Sequence, residues 1–106
     1  MEQQQVIAGR ELYAVAADGR GFEVKLGIGH PYRITEDEWA CAAQLSGLHE
    51  NLSDAHGIDS WQALQLAHKL AARLLQYFVQ DGGRLSWEKD GEQVQPPELF
   101  AKGSTS

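Results

Sequence analysis

Apolar and polar positions separate most cleanly between Asp59 and Asp81, in the run DSWQALQLAHKLAARLLQYFVQD. At about 100° per residue, Gln62, Gln65, Lys69, Arg73, Gln76 and Gln80 share one polar stripe roughly 80° wide. Leucines, alanines, Tyr77 and Phe78 cover about half the circumference opposite, and Trp61, Ala72 and Val79 widen that surface, with His68 among them. Asp59 predicts an N-cap, because its carboxylate can accept hydrogen bonds from the free amides of a first turn. Gln62, three residues on, completes a pattern resembling a capping box. No Pro or Gly intervenes before Gly82-Gly83, where left-handed backbone ends a helix at low steric cost. A helix lying on one sheet with its back in water needs an apolar arc only somewhat wider than about 100°. This arc is wider, so its flanks need cover from loops, from terminal segments, or from a second copy of the chain in a homodimer.

The chain on either side alternates with the period of strands. Val6 to Ala17 and Arg20 to Gly29 predict a β-hairpin joined by Asp18-Gly19, a strong two-residue turn signal. With Ala17 facing Arg20, Tyr13 and Val15 share the inward face with Phe22, Val24, Leu26 and Ile28, leaving Arg10, Leu12, Glu23 and Lys25 outside. Pro31 ends the second strand, since it has no amide to donate. Residues 33–47 fit two templates. Thr35 with Glu38 repeats the capping-box spacing and Gly47 suits a helix end, which local propensity slightly prefers. As a strand, Trp39, Cys41, Ala43 and Leu45 alternate onto one face, so residues 36–46 stay open between helix and strand. Residues 48–58 suit a loop or short irregular strand anchored by Leu48, Leu52 and Ile58. Arg84 to Lys89 predicts a last strand with Leu85 and Trp87 on one face, followed by an Asp90-Gly91 turn and the Pro96-Pro97 break. Leu99-Phe100 is expected to pin the tail. The pattern predicts a single α+β domain over residues 1–106, with a structured body at 6–91 and frayed ends at 1–5 and 101–106. Its expected architecture is a four- or five-stranded, largely antiparallel sheet with one long helix packed across one face.

Composition narrows the class. A length of 106 residues suits one domain that can bury a core unaided, and 42% hydrophobic with 23% charged residues suits a soluble globule. The single cysteine, Cys41, excludes an internal disulfide framework and fits a reducing compartment. The polar start, Met-Glu-Gln-Gln-Gln, lacks the basic-then-apolar layout of a secretory signal, and no apolar run approaches a membrane span, so the cytoplasm is the expected location. The formal charge is −6, with residues 1–53 contributing −4 and residues 54–106 contributing −2. No basic cluster interrupts this, which argues against nucleic acid as a partner and leaves a basic protein as the partner that charge favours.

The run Gly57-Ile58-Asp59-Ser60-Trp61-Gln62-Ala63-Leu64-Gln65-Leu66-Ala67 resembles a recurring feature of a family of small bacterial domains of unknown function. In that family a strand containing Trp-x-Cys precedes a Gly-Val/Ile-Asp-Ser/Ala-x-Gln-Ala-Leu-x-Leu-Ala helix start. Trp39-Ala40-Cys41, Pro31, Arg10-Glu11-Leu12 and Asp18-Gly19 fit the same pattern, so the resemblance spans residues 7–90. It implies an antiparallel sheet with a helix across one face and tips residues 38–45 towards strand. It implies no activity and no catalytic residues. Similar small acidic domains occur among bacterial immunity and effector-associated proteins, which makes partner binding the role it suggests.

Candidate chemistry is sparse. The four histidines include no His-x-x-x-His spacing, and with one cysteine they make a poor metal set; His49, Glu50, Asp54 and His56 would need a tight loop to converge. His56, Asp59 and Ser60 contain the letters of a hydrolytic triad, but neighbours this close rarely point at one another, and no Gly-x-Ser-x-Gly elbow is present. Cys41, among small apolar residues, reads as a buried inert thiol. Gly27-x-Gly29 opens no helix and is no dinucleotide loop. No cofactor is expected. Two functional readings remain. In the leading one, the chain is a non-catalytic protein-interaction module, with the acidic turn Glu36, Asp37, Glu38 and the aromatic Trp87 as interaction candidates. In the other, it binds a small ligand or is a minor enzyme, with a pocket from His30, His56, Asp59 and Trp61 near the helix N-terminus.

Overall fold

A computed structural model describes residues 6–99. The elements follow in chain order: β1 Val6–Val15, β2 Gly21–Gly29, β3 Tyr32–Thr35, β4 Glu38–Cys41, β5 Ala43–Ser46, β6 Ala55–Gly57, α1 Ser60–Gln80, β7 Arg84–Ser86, β8 Gln93–Val94 and the short α2 Pro96–Leu99. Five strands form one sheet in the order β5-β2-β1-β7-β8, and three form a smaller one in the order β3-β4-β6. Every neighbouring pair is antiparallel. The fold is α+β, with α1 packed against the sheets as expected; the second, three-stranded sheet is an addition. The predicted frayed ends and Phe100 lie outside the described residues.

The β1–β2 hairpin forms, but one residue out of the predicted register. The Ala16 amide donates to the Arg20 carbonyl at 2.8 Å and the Gly19 amide to the Ala16 carbonyl at 2.8 Å, so the loop is the three residues Ala17-Asp18-Gly19. Gly19 sits at φ +93°, the left-handed position that closes such a loop. Asp18 steadies the turn by accepting the Arg20 amide at 2.9 Å. A one-residue slip exchanges the faces of a strand. Leu12 and Ala14 therefore face the core, opposite Val24 and Phe22, while Tyr13 and Val15 take the other side.

Residues 36–46 settle as strand. Glu38–Cys41 belongs to the small sheet and Ala43–Ser46 to the large one, the chain crossing between them at Ala42. Cys41, Ala43 and Leu45 are buried in the two core clusters and Trp39 packs against one of them, which is the alternation expected of a strand. The gain from burying this row against α1 outweighs a marginal local preference for helix. After Ser86 the chain turns away, with the Trp87 amide bonded to the Glu92 carbonyl at 3.2 Å, so the last long strand is shorter than predicted. Trp87 lies beyond the end of this strand and stands 37% exposed, unlike the buried Leu85.

Helix α1 runs unbroken over its 21 residues. Asp59 caps it, accepting the Gln62 amide at 2.8 Å. The Gln62 side chain reaches one residue further than a capping box requires, accepting the Ile58 amide at 2.8 Å. Gly82, at φ +102°, follows the last turn, and the Asp81 and Gly82 amides bond back to Tyr77 and Val79. The buried line is Ala63, Ala67, Ala71 and Leu75, four residues apart each time, flanked by half-buried Leu64, Leu70, Leu74 and Phe78. Its surroundings divide in two. The C-terminal half meets Leu12, Val24, Leu45, Leu85 and Val94, with Phe22 edge-on to Phe78 at 6.0 Å between centroids. The alanines meet Ile28, Cys41 and Ala43. Part of the wide apolar arc stays uncovered within the chain, notably Trp61 and Tyr77.

Candidate functional site

The richest gathering of polar side chains lies on the outer face of the small sheet. Register aligns Tyr32 with Ala40 and Ala40 with His56 across three strands. Strand alternation places Glu38 on that face too. The Tyr32 hydroxyl donates to the Asp54 carboxylate, and His56 Nδ1 lies 2.8 Å from Glu38 Oε2. Ala40, between Tyr32 and His56 in this row, is fully buried.

Two protons are held tightly here. The hydrogen bond to Asp54 raises the Tyr32 pKa above the ordinary tyrosine value, with smaller contributions from burial and from the negative charge of Asp54. Burial raises the Cys41 thiol, and Asp54 adds to the shift. The thiol points inward, donating to the Gly29 carbonyl at 3.3 Å. A neutral, buried thiol is not poised for nucleophilic attack.

In β3 and at the start of α1 the fold also leaves large apolar side chains in solvent: Ile34, Ile58 at 66% exposure and Trp61 at 70%. Ile58, an anchor by its place in the sequence pattern, projects outward instead. Its backbone is nonetheless fixed, since its amide is bonded to Gln62 and the next residue caps α1. Carboxylates dominate the neighbourhood in sequence. Between residues 32 and 59, Glu36, Asp37, Glu38, Glu50, Asp54 and Asp59 face only Arg33, so this segment carries −5 of the chain's −6. Glu36 and Asp37 are exposed in the β3–β4 turn, where the Asp37 amide donates to Thr35 Oγ1 at 3.2 Å.

The residues singled out from sequence divide between places. Glu36, Asp37, Glu38, His56, Asp59 and Trp61 belong to the small sheet, its turn, or the helix start that follows it. His30 is exposed, its Nδ1 2.8 Å from the Pro31 carbonyl oxygen. Trp87 belongs with the large sheet, where the Arg10 guanidinium stacks 4.8 Å from its ring centre. Cavities of about 210, 180, 340 and 160 Å³ lie along the large sheet, and Trp87 borders the last of these, while the other residues singled out line none of the four. Tyr32, Ile34 and Asp54 were missed as members of this surface. Cross-strand register brings Tyr32 beside Ala40 and His56, and the Tyr32 hydroxyl brings in Asp54; neither contact is written in any local motif.

Among the described residues no group of three or more His, Cys, Asp or Glu side chains is placed to hold a metal ion. No helix among them is long and apolar enough to cross a membrane. The sequence matches the model of a family described as a domain of unknown function, DUF6968, over residues 8–97. The chain belongs to that family. In this DUF6968 member the match takes in strands of both sheets, the helix, and the polar row. No curated protein and no solved structure matches it.

Proposed function

We propose that this DUF6968 domain is a non-catalytic protein-interaction module whose contact surface is the small-sheet end, and that its partner is basic. The observation that carries this reading is the pairing of Ile58 and Trp61, exposed on a hydrogen-bonded helix start, with a segment of net charge −5. Large apolar side chains held on rigid backbone bind with little further loss of conformational entropy. A surrounding field of one sign accelerates encounter with a partner of the other. An immunity-like role, in which the domain masks a basic effector, is one form this takes. The small-ligand reading has less support. The Asp59 carboxylate is engaged in capping α1, and His56 is paired with Glu38 on an open face, where a ligand would gain little burial.

The test compares the wild-type domain with an Ile58→Ser, Trp61→Ser double variant as baits in lysate of the native host, at low and high salt. Proteins held by the wild type, lost by the variant and weakened by salt are the expected result. Identical retention by the two baits would remove this surface from consideration.

A further inference from the structure

The N-terminal half of β1 is the longest sheet edge left open among the described residues. β2 accompanies β1 along its whole length, whereas β7 pairs with it only at Tyr13, Ala14 and Val15. Val6 through Glu11 are all exposed. Ladder alternation fixes where their backbone groups point. The Ala16 amide bonds towards β2, so Ala14, Leu12 and Arg10 also turn N–H and C=O that way, and Tyr13, Glu11 and Gly9 turn theirs to the other side. Tyr13 meets β7 there, while Glu11 and Gly9 meet no strand among the described residues. The outer edges of β8, β6 and β3 span two, three and four residues, and β5 is met by His49 through a bridge at Leu45.

Against this edge lies a cavity of about 180 Å³ between the sheet and α1, with Ala8, Gly9, Ile28, His68 and Leu99 in its wall and Arg10 beside them. An open edge next to a side-chain pocket is the arrangement that strand addition uses. Main-chain hydrogen bonds supply affinity and the pocket selects alternate side chains.

Charge chooses between occupants. Arg10 and Glu11 are adjacent on a strand and so project to opposite faces. Antiparallel pairing of β1 with a second copy about a twofold axis sets both Arg10 side chains on one face and both Glu11 side chains on the other, which gathers like charges. The bulge between Val6 and Ala8 further discourages templating of an identical strand. A foreign strand with an acid across from Arg10 and a base across from Glu11 satisfies both.

We propose that the open edge of β1 and its cavity bind an extended peptide from another protein as an added antiparallel strand. The peptide places an apolar side chain in the cavity, an acidic residue across from Arg10 and a basic residue across from Glu11. The inference does not rest on the small-sheet surface proposed above.

The probe is a fluorescein-labelled peptide, Thr-Lys-Glu-Thr-Val-Thr, whose Lys, Glu and Val fall opposite Glu11, Arg10 and Ala8. Fluorescence anisotropy should show saturable binding to the wild-type domain, weakened about tenfold by Arg10→Glu and recovered when the peptide Glu is changed to Lys. Amide hydrogen exchange on the wild-type domain should slow at Gly9 and Glu11 in the complex, a readout that needs no variant. The Ile58→Ser, Trp61→Ser variant should bind the peptide as the wild type does, so loss of the small-sheet reading leaves this one standing. Absence of saturable binding, binding without protection of those two amides, or indifference to the charge exchange would overturn the proposal.

Discussion

The two halves of α1 are held in opposite ways. At its C-terminal half, Leu75 lies fully buried among leucines, valines and phenylalanines, and cohesion comes from large side chains interlocking. At its N-terminal half the contacts are Ala63, Ala67 and Ala71 on Ile28, Cys41 and Ala43, and cohesion comes from close approach of backbones. Gly57 shows how close: a Cβ there would fall 2.6 Å from the Ala63 backbone nitrogen. One end therefore tolerates no loss of volume, and the other no gain. The crowded end is also the one that carries the exposed Ile58 and Trp61, with polar caps and paired side chains fixing its surface.

The largest expected effect is at the leucine end. Leu75→Ala should lose about 2–5 kcal/mol in urea unfolding, because transfer free energy and a residual cavity add. A loss below this range would mean that the cluster collapses around the gap and that the contrast between halves is weaker than the packing indicates. Ala67→Leu should cost about 1–3 kcal/mol by the opposite route, overpacking. For the same loss of stability it should speed labelling of Cys41 by a thiol reagent more than Leu75→Ala does, since Cys41 shares a cluster with Ala67. Equal labelling rates at matched stability would show that the halves open together.

Smaller changes probe how the alanine end is tied at its surface. Asp59→Ala should cost about 1 kcal/mol, the usual worth of an N-cap, visible as a lower urea midpoint. Tyr32 gives a pH signature whose sign follows from its raised pKa. The folded state favours the protonated phenol, so the contribution is complete below the ordinary value of 10.0 and is lost as pH rises through the raised folded value. Stability of the wild type relative to Tyr32→Phe should therefore be flat at neutral pH and fall under alkaline conditions. A difference that instead changes in acid would assign the coupling to another group.

Much of the architecture was legible because it rests on periodicity. The helical run Asp59–Asp81, its cap, the Gly82 stop and the alternation of Trp39, Cys41, Ala43 and Leu45 each have a local physical signature, though in the last case a helical signature competed with it. The hairpin was legible and its register was not. Asp18-Gly19 marks a turn equally well with two loop residues or three, and that single residue decides whether Leu12 or Tyr13 enters the core. The candidate surface was legible only in fragments. Glu36, Asp37, Glu38, His56, Asp59 and Trp61 stood out as types, but the company of Glu38 and His56 with Tyr32 and Asp54 depends on which strands lie side by side.

By itself the amino-acid order determined a long amphipathic helix, its two ends, and the strand-forming segments around it, because each follows from side-chain spacing along a few consecutive residues. Tertiary structure alone decided the hairpin register, the division into two sheets at Ala42, and how short a stretch of β1 pairs with β7. Those outcomes depend on contacts between residues far apart in the chain, where a shift of one position exchanges the inside of a strand for its outside.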